Sequence, residues 1–435
     1  MRIIADLHLH SRFSRATSSE MSIPVMAQWA ERKGINLIGT GDFTHPIYFE
    51  EIRTRLKEAG NGLYRTDASP SVHFMLTTEI SSIYSYKGRV RRIHNIVMAP
   101  SIEVAERINN VLKRYGNLSS DGRPILGTPA NDLIKIILNI SPDCLFVPAH
   151  AWTPWFSIFG SNSGFDSIEE CFGEYSIYIY AIETGLSSDP EMNWRLSSLD
   201  RITLISNSDA HSPNKLGREA NVFDCEMDYY EIIDVIKKKD RKRFLYTIEF
   251  FPEEGKYHYD GHRSCNVLFS PSETKAHKGI CPVCNKPLTV GVMNRVEELA
   301  DREEGFVPDN AIPSRHMVPL DEVIAQAFDS GTSSARVRKE YERLTASSSE
   351  FEILLDLPET ELYRIADERV AQAILKVRRG EIDIVPGYDG VYGKIKISIG
   401  GRRLTVAGGE VTVGKTTTGV RVQTQQDEPG QGRLF

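Results

Sequence analysis

Long apolar stretches are missing from this sequence. No run approaches about eighteen apolar residues, the length that a membrane-spanning helix needs. The first residues, MRIIADLHLH, also lack the charged and then apolar plan of a secretory signal peptide. We therefore expect a cytoplasmic protein with no membrane partner.

Cysteine and surplus basic charge are also scarce. Of six cysteines, three crowd between Cys265 and Cys284, which is typical of a metal site in a reducing compartment rather than of a disulfide framework. There are 52 Lys and Arg against 59 Asp and Glu, so the net charge is −7. Any contact with nucleic acid must therefore come from local basic patches.

What remains is the composition of an ordinary soluble protein, 40% hydrophobic, 26% charged and 9% aromatic. A length of 435 residues is too great for one core and predicts two or three domains. We place a catalytic α/β domain over 1–255, a metal-binding module over 256–300, a helical region with a terminal hairpin over 301–399 and a flexible tail over 400–435.

Residues 1–255 alternate β-branched runs with amphipathic stretches, as in RIIADLHLH, IPVMAQWAERKG and INLIGTGDF. This is the βαβ pattern of an α/β domain. The strand candidates carry polar residues at their C-terminal ends, where catalytic groups gather in parallel sheets and barrels. Packing does not explain these residues, because burying an unpaired His, Asp or Glu costs several kcal/mol.

A shared metal cluster explains the polar strand ends. His8 and His10 are two apart on one strand, so their side chains face the same way. The further candidate ligands are Asp42, Glu79, His94, His150, Asp209 and His211. Imidazole and carboxylate suit Zn²⁺, Mn²⁺ or Fe, and Glu79 can bridge two ions. Because such a cluster activates water against a phosphate, we assign catalytic roles to Asp209, His211 and Glu79.

The ordered motifs DLHLH, TGDFTH, TTEI, PAHAW and SNSDAH resemble those of the polymerase and histidinol phosphatase (PHP) superfamily. The resemblance implies a distorted (β/α)7 barrel with a two- or three-metal phosphoesterase centre. Two positions depart from the pattern: Ser14 and Arg15 stand where many members have a third ligand, and Asp42-Phe43 stands where many read Asp-His. We therefore expect one altered or empty metal position, with Asp42 or His45 as the substitute ligand.

Three later stretches, KYHYDGHRSC, CPVCNKPLTVGVMNRVEELADR and VPGYDGVYGKI, resemble the endonuclease Q family. This resemblance implies a DNA-repair nuclease that uses Zn²⁺, or Mg²⁺ or Mn²⁺, to nick DNA 5′ of deaminated bases (uracil, hypoxanthine, xanthine) and at abasic sites. Two alternatives stay open: a small-molecule phosphoesterase of the histidinol phosphatase type, and a DNA-binding, clamp-tethered scaffold whose PHP site has decayed. The extension beyond 255 counts against the first, and the ligand series counts against the second.

A second metal site is predicted within 256–300. His262, Cys265, Cys281 and Cys284 have the paired-knuckle spacing of a tetrahedral structural zinc site. His258 and His277 compete with His262 for the fourth position. We prefer His262, because its spacing to Cys265 mirrors that of CPVC.

Basic and aromatic residues beside the metal motifs are candidates for DNA contact. Arg89, Arg91 and Arg92 directly precede His94, where they could hold phosphates. Trp152 and Trp155 follow His150 and either contact the lesion or plug the barrel.

Asn207 is another candidate for the recognition of a damaged base. It is two residues before Asp209 on the same strand, so both side chains face one way. Its amide either pairs with a damaged base or supports the metal ligands.

The last five residues resemble the short peptides that dock into sliding clamps. Gln431, Leu434 and Phe435 have the spacing of a glutamine followed by two apolar anchors. The sequence therefore predicts a sliding clamp as a second partner.

Overall fold

The computed structural model describes residues 1–398, and its first 250 residues mix strands with helices. Its strands are β1 (Arg2–Asp6), β2 (Leu37–Gly39), β3 (Lys57–Gly60), β4 (Leu63–Arg65), β5 (His73–Tyr86), β6 (Arg89–Ala99), β7 (Ile125–Leu126), β8 (Leu145–Pro148), β9 (Ala181–Glu183), β10 (Thr203–Ile205), β11 (Ala220–Asp224), β12 (Phe244–Glu249), β13 (Asp260–His262), β14 (Val267–Phe269), β15 (Ser314–His316), β16 (Asp383–Val385) and β17 (Lys394–Lys396). Its helices are α1 (Ile23–Lys33), α2 (Pro46–Arg55), α3 (Ile102–Leu112), α4 (Ala130–Ile140), α5 (Ile168–Phe172), α6 (Pro190–Asn193), α7 (Tyr229–Lys238), α8 (Pro271–Ala276), α9 (Val292–Leu299), α10 (Leu320–Ala327), α11 (Ala335–Thr345), α12 (Glu359–Ile365) and α13 (Glu368–Arg378). The candidate clamp peptide, Gln431 to Phe435, lies outside the described residues.

One large mixed sheet forms the centre of the fold, which is a mixed α/β fold as the sequence predicts. Its strand order is β15-β12-β11-β1-β2-β5-β4-β3, with β6 and β7 on β5 and β8 on β6. The pairs β1–β2 and β2–β5 are parallel, whereas β5–β6 and β6–β8 are antiparallel. Strands β9 and β10 form a separate parallel pair.

Two backbone hydrogen bonds connect this pair to the main sheet. The amide of Ala151, after β8, donates to the carbonyl of Glu183 at 2.9 Å, and the amide of His10, after β1, donates to the carbonyl of Ala210 at 3.0 Å. The ends of β1, β2, β8, β9 and β10 and the middle of the β5–β6 pair therefore surround one space.

The β5–β6 hairpin differs from the predicted alternation of strand and helix. Strand β6 pairs with β5 over its whole length, from Leu76 opposite Ala99 to Tyr86 opposite Arg89. The turn is the two residues Lys87 and Gly88, with φ of 48° and 75°. Positive φ at both positions gives a tight turn that matches the twist of the strands, so no crossover helix is needed.

Helix α1 forms as its sequence predicts. Ile23, Met26 and Ala30 are fully buried, which is the helical spacing of an apolar face. Gly34 ends the helix with φ of 85°, and its amide donates to the carbonyl of Ala30. An added Cβ at Gly34 would lie 2.5 Å from Ser349 Oγ, so this position also permits close packing against the C-terminal region.

The C-terminal region is helical between 320 and 378 and then forms the β16–β17 hairpin. Val323, Ile324 and Ile374 are fully buried where α10 packs on α13. A buried ion pair of 2.9 Å between Lys33 Nζ and Glu350 Oε2 connects this region to α1. Within residues 1–398 no helix has the length and apolar character to cross a membrane.

Candidate metal centre

The predicted ligands converge on the space between the strands. His8 and His10 follow β1, and His150 follows β8. Glu79 and His94 lie in the middle of β5 and β6, not at strand ends as expected, because the hairpin continues beyond the site. A ligand can therefore also come from within a strand that runs past the site.

Three residues at the predicted site adopt a left-handed backbone, which non-glycine residues avoid. The φ angles are 44° at Asp42, 30° at His150 and 47° at Asp209. Such conformations cost on the order of 1–3 kcal/mol each and persist where the surroundings enforce them. All three follow a strand, so the chain turns abruptly at this end of the sheet.

The first group of candidate ligands is His8, His10 and Asp209. Their ligand atoms all lie within 4.8 Å of one another, with His10 Nε2 at 3.1 Å and His8 Nε2 at 3.8 Å from Asp209 Oδ1. These three buried atoms make no hydrogen bond within residues 1–398. Because buried polar atoms normally have a hydrogen-bond partner, these unpaired imidazole and carboxylate atoms fit a site for a metal ion.

The second group is Glu79, His94 and His150. Glu79 Oε1 lies 2.7 Å from His94 Nδ1 and 3.0 Å from His150 Nε2. The other carboxylate oxygen, Oε2, lies 3.3 Å from His10 Nε2 of the first group. The Glu79 carboxylate therefore lies between the two groups, where it can bridge two ions.

Charge in the site favours cations. Burial alone would raise the pKa of Glu79, but the neighbouring His94 and Arg123 charges hold it well below its usual value. Burial alone would lower the pKa of His8, but the charges of Glu183 and Asp209 raise it well above its usual value. Because a metal ion must displace the proton of an imidazole ligand, metal affinity should fall as the pH falls.

Glu183, which sequence reasoning missed, supports both groups. It accepts the 2.8 Å hydrogen bond of the His150 amide, and its carboxylate lies 3.0 Å from His8 Nδ1. Glu183 ends the strand candidate YAIETG, so the strand-end rule applied to the other ligands would have found it.

The position of Asn207 corrects its predicted contact with a base. Asn207 is fully buried, its Nδ2 donates to Glu183 Oε1 at 2.9 Å and its Oδ1 accepts from the Leu7 amide at 2.8 Å. Its amide therefore supports Glu183 beside the candidate ligands, which agrees with the alternative interpretation.

Protein groups surround the carboxylate of Asp42, one of the two candidate substitute ligands. Asp42 Oδ1 lies 3.0 Å from His10 Nδ1, and Oδ2 accepts from the Ser11 amide at 2.6 Å and from Ser14 Oγ at 2.9 Å. A Cβ added at Gly122 would lie 2.3 Å from Asp42 Oδ2. The structure therefore corrects direct metal ligation by Asp42, which orients His10 instead.

His45, the other candidate substitute ligand, also contacts protein groups. Its ring stacks on Phe13 at 4.4 Å, and its Nδ1 accepts from the Tyr48 amide at the start of α2. His211 lies at the edge of the first group, with its ring 4.6 Å from that of His10 and its Nδ1 bonded to the Asp209 carbonyl at 2.8 Å. Its predicted role as ligand and catalytic residue stays a prediction.

Two of the predicted DNA contacts are buried. The Arg91 guanidinium lies over the Phe165 ring at 4.1 Å and 3.8 Å from Glu170 Oε1, and Trp152 is 1% exposed with its Nε1 donating to Asn193 Oδ1 at 2.8 Å. The structure corrects both assignments, because neither side chain is free to reach a ligand.

The other predicted DNA contacts remain accessible. Arg89 is exposed at the hairpin tip, and Trp155 is 44% exposed beside Tyr257. Arg92 is half-buried, with its guanidinium 5.8 Å from the Phe156 ring centre.

The cysteine group assembles with His262. The ligand atoms of His262, Cys265, Cys281 and Cys284 all lie within 4.8 Å of one another. His277 instead stacks on Phe269 at 4.6 Å. The arrangement fits the fourth position that the sequence favoured for His262.

The fold and these groups define a mixed α/β protein with two candidate metal clusters, one of imidazole and carboxylate and one of cysteine. The structure of the lesion-specific endonuclease PfuEndoQ from Pyrococcus furiosus matches with 32% identity and a TM-score of 0.82, over 91% of this chain and 96% of that one. A complex of endonuclease Q with a 27-mer duplex that carries an abasic lesion matches with 32% identity and a TM-score of 0.80, over 92% and 97% of the two chains. The chain belongs to the endonuclease Q family.

Two further relatives and one domain family also match. The uncharacterized protein YqxK of Bacillus subtilis is 29% identical over 410 residues, which are 91% of this chain and 99% of YqxK. The uncharacterized protein MJ0043 of Methanocaldococcus jannaschii is 33% identical over 254 residues, which are 57% of this chain but 31% of MJ0043. Residues 319–381 match the MJ0043 C-terminal domain family.

Proposed function

We propose that this protein is a metal-dependent endonuclease that nicks DNA on the 5′ side of deaminated bases and at abasic sites. The main support is the bridging position of Glu79 between two groups of candidate ligands, in a chain that matches a lesion-specific endonuclease over 91% of its length. Many enzymes that hydrolyse phosphodiesters use two metal ions about 4 Å apart.

The ions would be held by His8, His10 and Asp209 on one side and by His94 and His150 on the other, with Glu79 between them. Bound there, Zn²⁺, Mn²⁺ or Mg²⁺ would lower the pKa of water and neutralise charge on the phosphate. The protein's own contribution is orientation: Asp42 fixes the His10 ring, and Glu183 fixes the His8 ring.

Arg123 adds a second contact for the substrate, one that sequence reasoning missed. Its Nη1 donates to Glu79 Oε2 at 2.9 Å, and its side chain is 23% exposed. A guanidinium has five N–H donors, so the others can hold the scissile phosphate. Arg89, Arg92 and Trp155 are the accessible candidates for contact with the rest of the DNA.

Two structural details belong to the same proposal. Under this proposal the strands β1, β2, β5, β6, β8, β9 and β10 would form a distorted (β/α)7 barrel, in which β6 is antiparallel to β5 and β8. The group of His262, Cys265, Cys281 and Cys284 would bind structural Zn²⁺, since three thiolates and one imidazole are a common tetrahedral set for this ion.

A gel assay tests the activity. The protein is incubated with Mg²⁺ or Mn²⁺ and duplexes that hold one uracil, one hypoxanthine, one abasic site or only normal bases, and the nick is mapped. We expect a 5′ nick at the lesions and none in the normal duplex. Hydrolysis of histidinol phosphate without nicking would favour the small-molecule phosphoesterase, and binding without hydrolysis would favour a decayed scaffold.

A further inference from the structure

A third cluster of metal-binding side chains lies outside the centre described above. Asp189 and Glu191 lie at the start of α6, in the segment that follows β9, and His316 ends β15. One ligand atom from each lies within 4.8 Å of the others, and Asp189 Oδ2 is 3.2 Å from His316 Nε2. The cluster thus joins two segments that are more than 120 residues apart in the chain.

A buried and unpartnered carboxylate oxygen faces the same cluster. Glu249 is directly opposite His316 in the parallel β12–β15 pair, so the two side chains leave the sheet on the same face. Glu249 is fully buried, and its Oε2 accepts from Thr184 Oγ1 at 3.2 Å and from Ser206 Oγ at 3.0 Å. Its Oε1 makes no hydrogen bond to any residue from 1 to 398.

The same surroundings hold further polar atoms without a partner. His258 is 5% exposed, and the negative charge of nearby Asp189 favours its protonated form. Within the described part of the chain, neither His258 Nδ1 nor Glu253 Oε2 has a hydrogen-bond partner. Burial raises the pKa of Glu249 to about 8 and that of Glu253 to about 7. The imidazole of His316 is therefore surrounded by several buried carboxyl groups.

We propose that Asp189, Glu191 and His316 bind a divalent cation. Two carboxylates and one imidazole form a donor set that suits Zn²⁺ or Mn²⁺. The cation would be held by the two carboxylates and the imidazole and would fix the segment after Glu183, which supports His8, to strand β15. This site is independent of the proposed nuclease chemistry, because none of its residues contacts the candidate catalytic ligands.

Metal analysis of the full-length protein tests the site. Wild type, Glu191→Ala, His316→Ala and the exposed control Glu304→Ala are stripped with a chelator, reloaded with Zn²⁺ or Mn²⁺, passed through gel filtration and analysed by mass spectrometry. We expect Glu191→Ala and His316→Ala each to bind one ion fewer per chain than wild type and the control. Glu191 is exposed, so its variant should fold even if His316→Ala does not.

The location of the ion is checked by anomalous diffraction from Mn²⁺-soaked crystals of the wild type, which should show a peak between Asp189, Glu191 and His316. Absence of that peak at saturating Mn²⁺, or equal metal content in all four proteins, would overturn the proposal. The cluster would then be an ion pair of Asp189 with protonated His316. Burial alone would lower the pKa of His316, but Asp189 raises it to about 9. The ion pair would therefore stabilise the fold below that pH and would be lost as the pH rises through about 9, whether or not metal is added.

Discussion

Replacing Glu183 by Gln should weaken metal binding at the candidate centre without removing any predicted ligand. The buried Glu183 carboxylate accepts hydrogen bonds from the His150 backbone amide and the Asn207 side-chain amide, and it lies 3.0 Å from the His8 ring. A glutamine keeps the size and offers one oxygen, but its NH₂ group must then face a donor.

The magnitude follows from these contacts. A carboxylate that orients a metal-binding imidazole contributes about 10- to 100-fold to metal affinity, which is roughly 1.4–2.7 kcal/mol. A buried donor left facing an NH₂ group costs about 1–3 kcal/mol of folding stability. We therefore expect Glu183→Gln to bind Mn²⁺ at least tenfold more weakly than wild type and to melt at a lower temperature.

Calorimetric titration of chelator-treated protein with Mn²⁺ measures the affinity. Nicking at saturating Mn²⁺ measures the remaining activity. The exposed substitution Glu169→Gln on α5 is the matched control. Unchanged Mn²⁺ affinity in Glu183→Gln would refute the supporting role of this residue. Restoration of nicking by excess Mn²⁺ would agree with a role in orientation.

Three further predictions concern other parts of the chain. Asp209→Asn should fold but lose nicking, because a neutral amide is a poorer metal ligand. The control Asp329→Asn, on an exposed turn, should keep its nicking activity. A rate of a tenth or more of wild type in Asp209→Asn would contradict the role of Asp209. Replacing Cys281 and Cys284 by Ser should release one zinc and destabilise 256–300, measured by metal analysis and melting, and unchanged zinc would exclude a zinc site. Deleting 431–435 should leave nicking of short duplexes unchanged and abolish binding to a sliding clamp in surface plasmon resonance; unaltered clamp affinity would contradict the peptide assignment.

Sequence patterns predicted which polar residues lie close together, because each candidate ligand carries a chemical requirement. The spacing of His8 and His10 determines a common face, and the burial of charged groups after hydrophobic strands demands a partner. The order of motifs along the chain then indicates which residues share the site. Exposure is harder to predict, since it depends on what packs above a residue.

Asn207 and Arg91 illustrate that limit. The sequence predicts that Asn207 shares a face with Asp209. In the structure, the side chain opposite Asn207 is Glu183, and the Asn207 amide donates its hydrogen bond to it. Arg91 is adjacent to the exposed tip in sequence, but Phe165 and Glu170, more than 70 residues later, cover it. Contacts between such distant segments leave no local signal in the sequence.

The β5–β6 hairpin joins the candidate metal centre to the outer surface by a fixed length of paired chain. From Glu79 to Tyr86 there are seven steps, each of about 3.3 Å, so the tip, where Arg89 is opposite Tyr86, lies about 23 Å along the strand from Glu79. At about 3.4 Å per base pair, a duplex that lies along the hairpin would meet Arg89 about seven base pairs from the phosphate at the metal centre. The hairpin would thus set a minimum length of duplex on one side of the cut, below which this contact is lost.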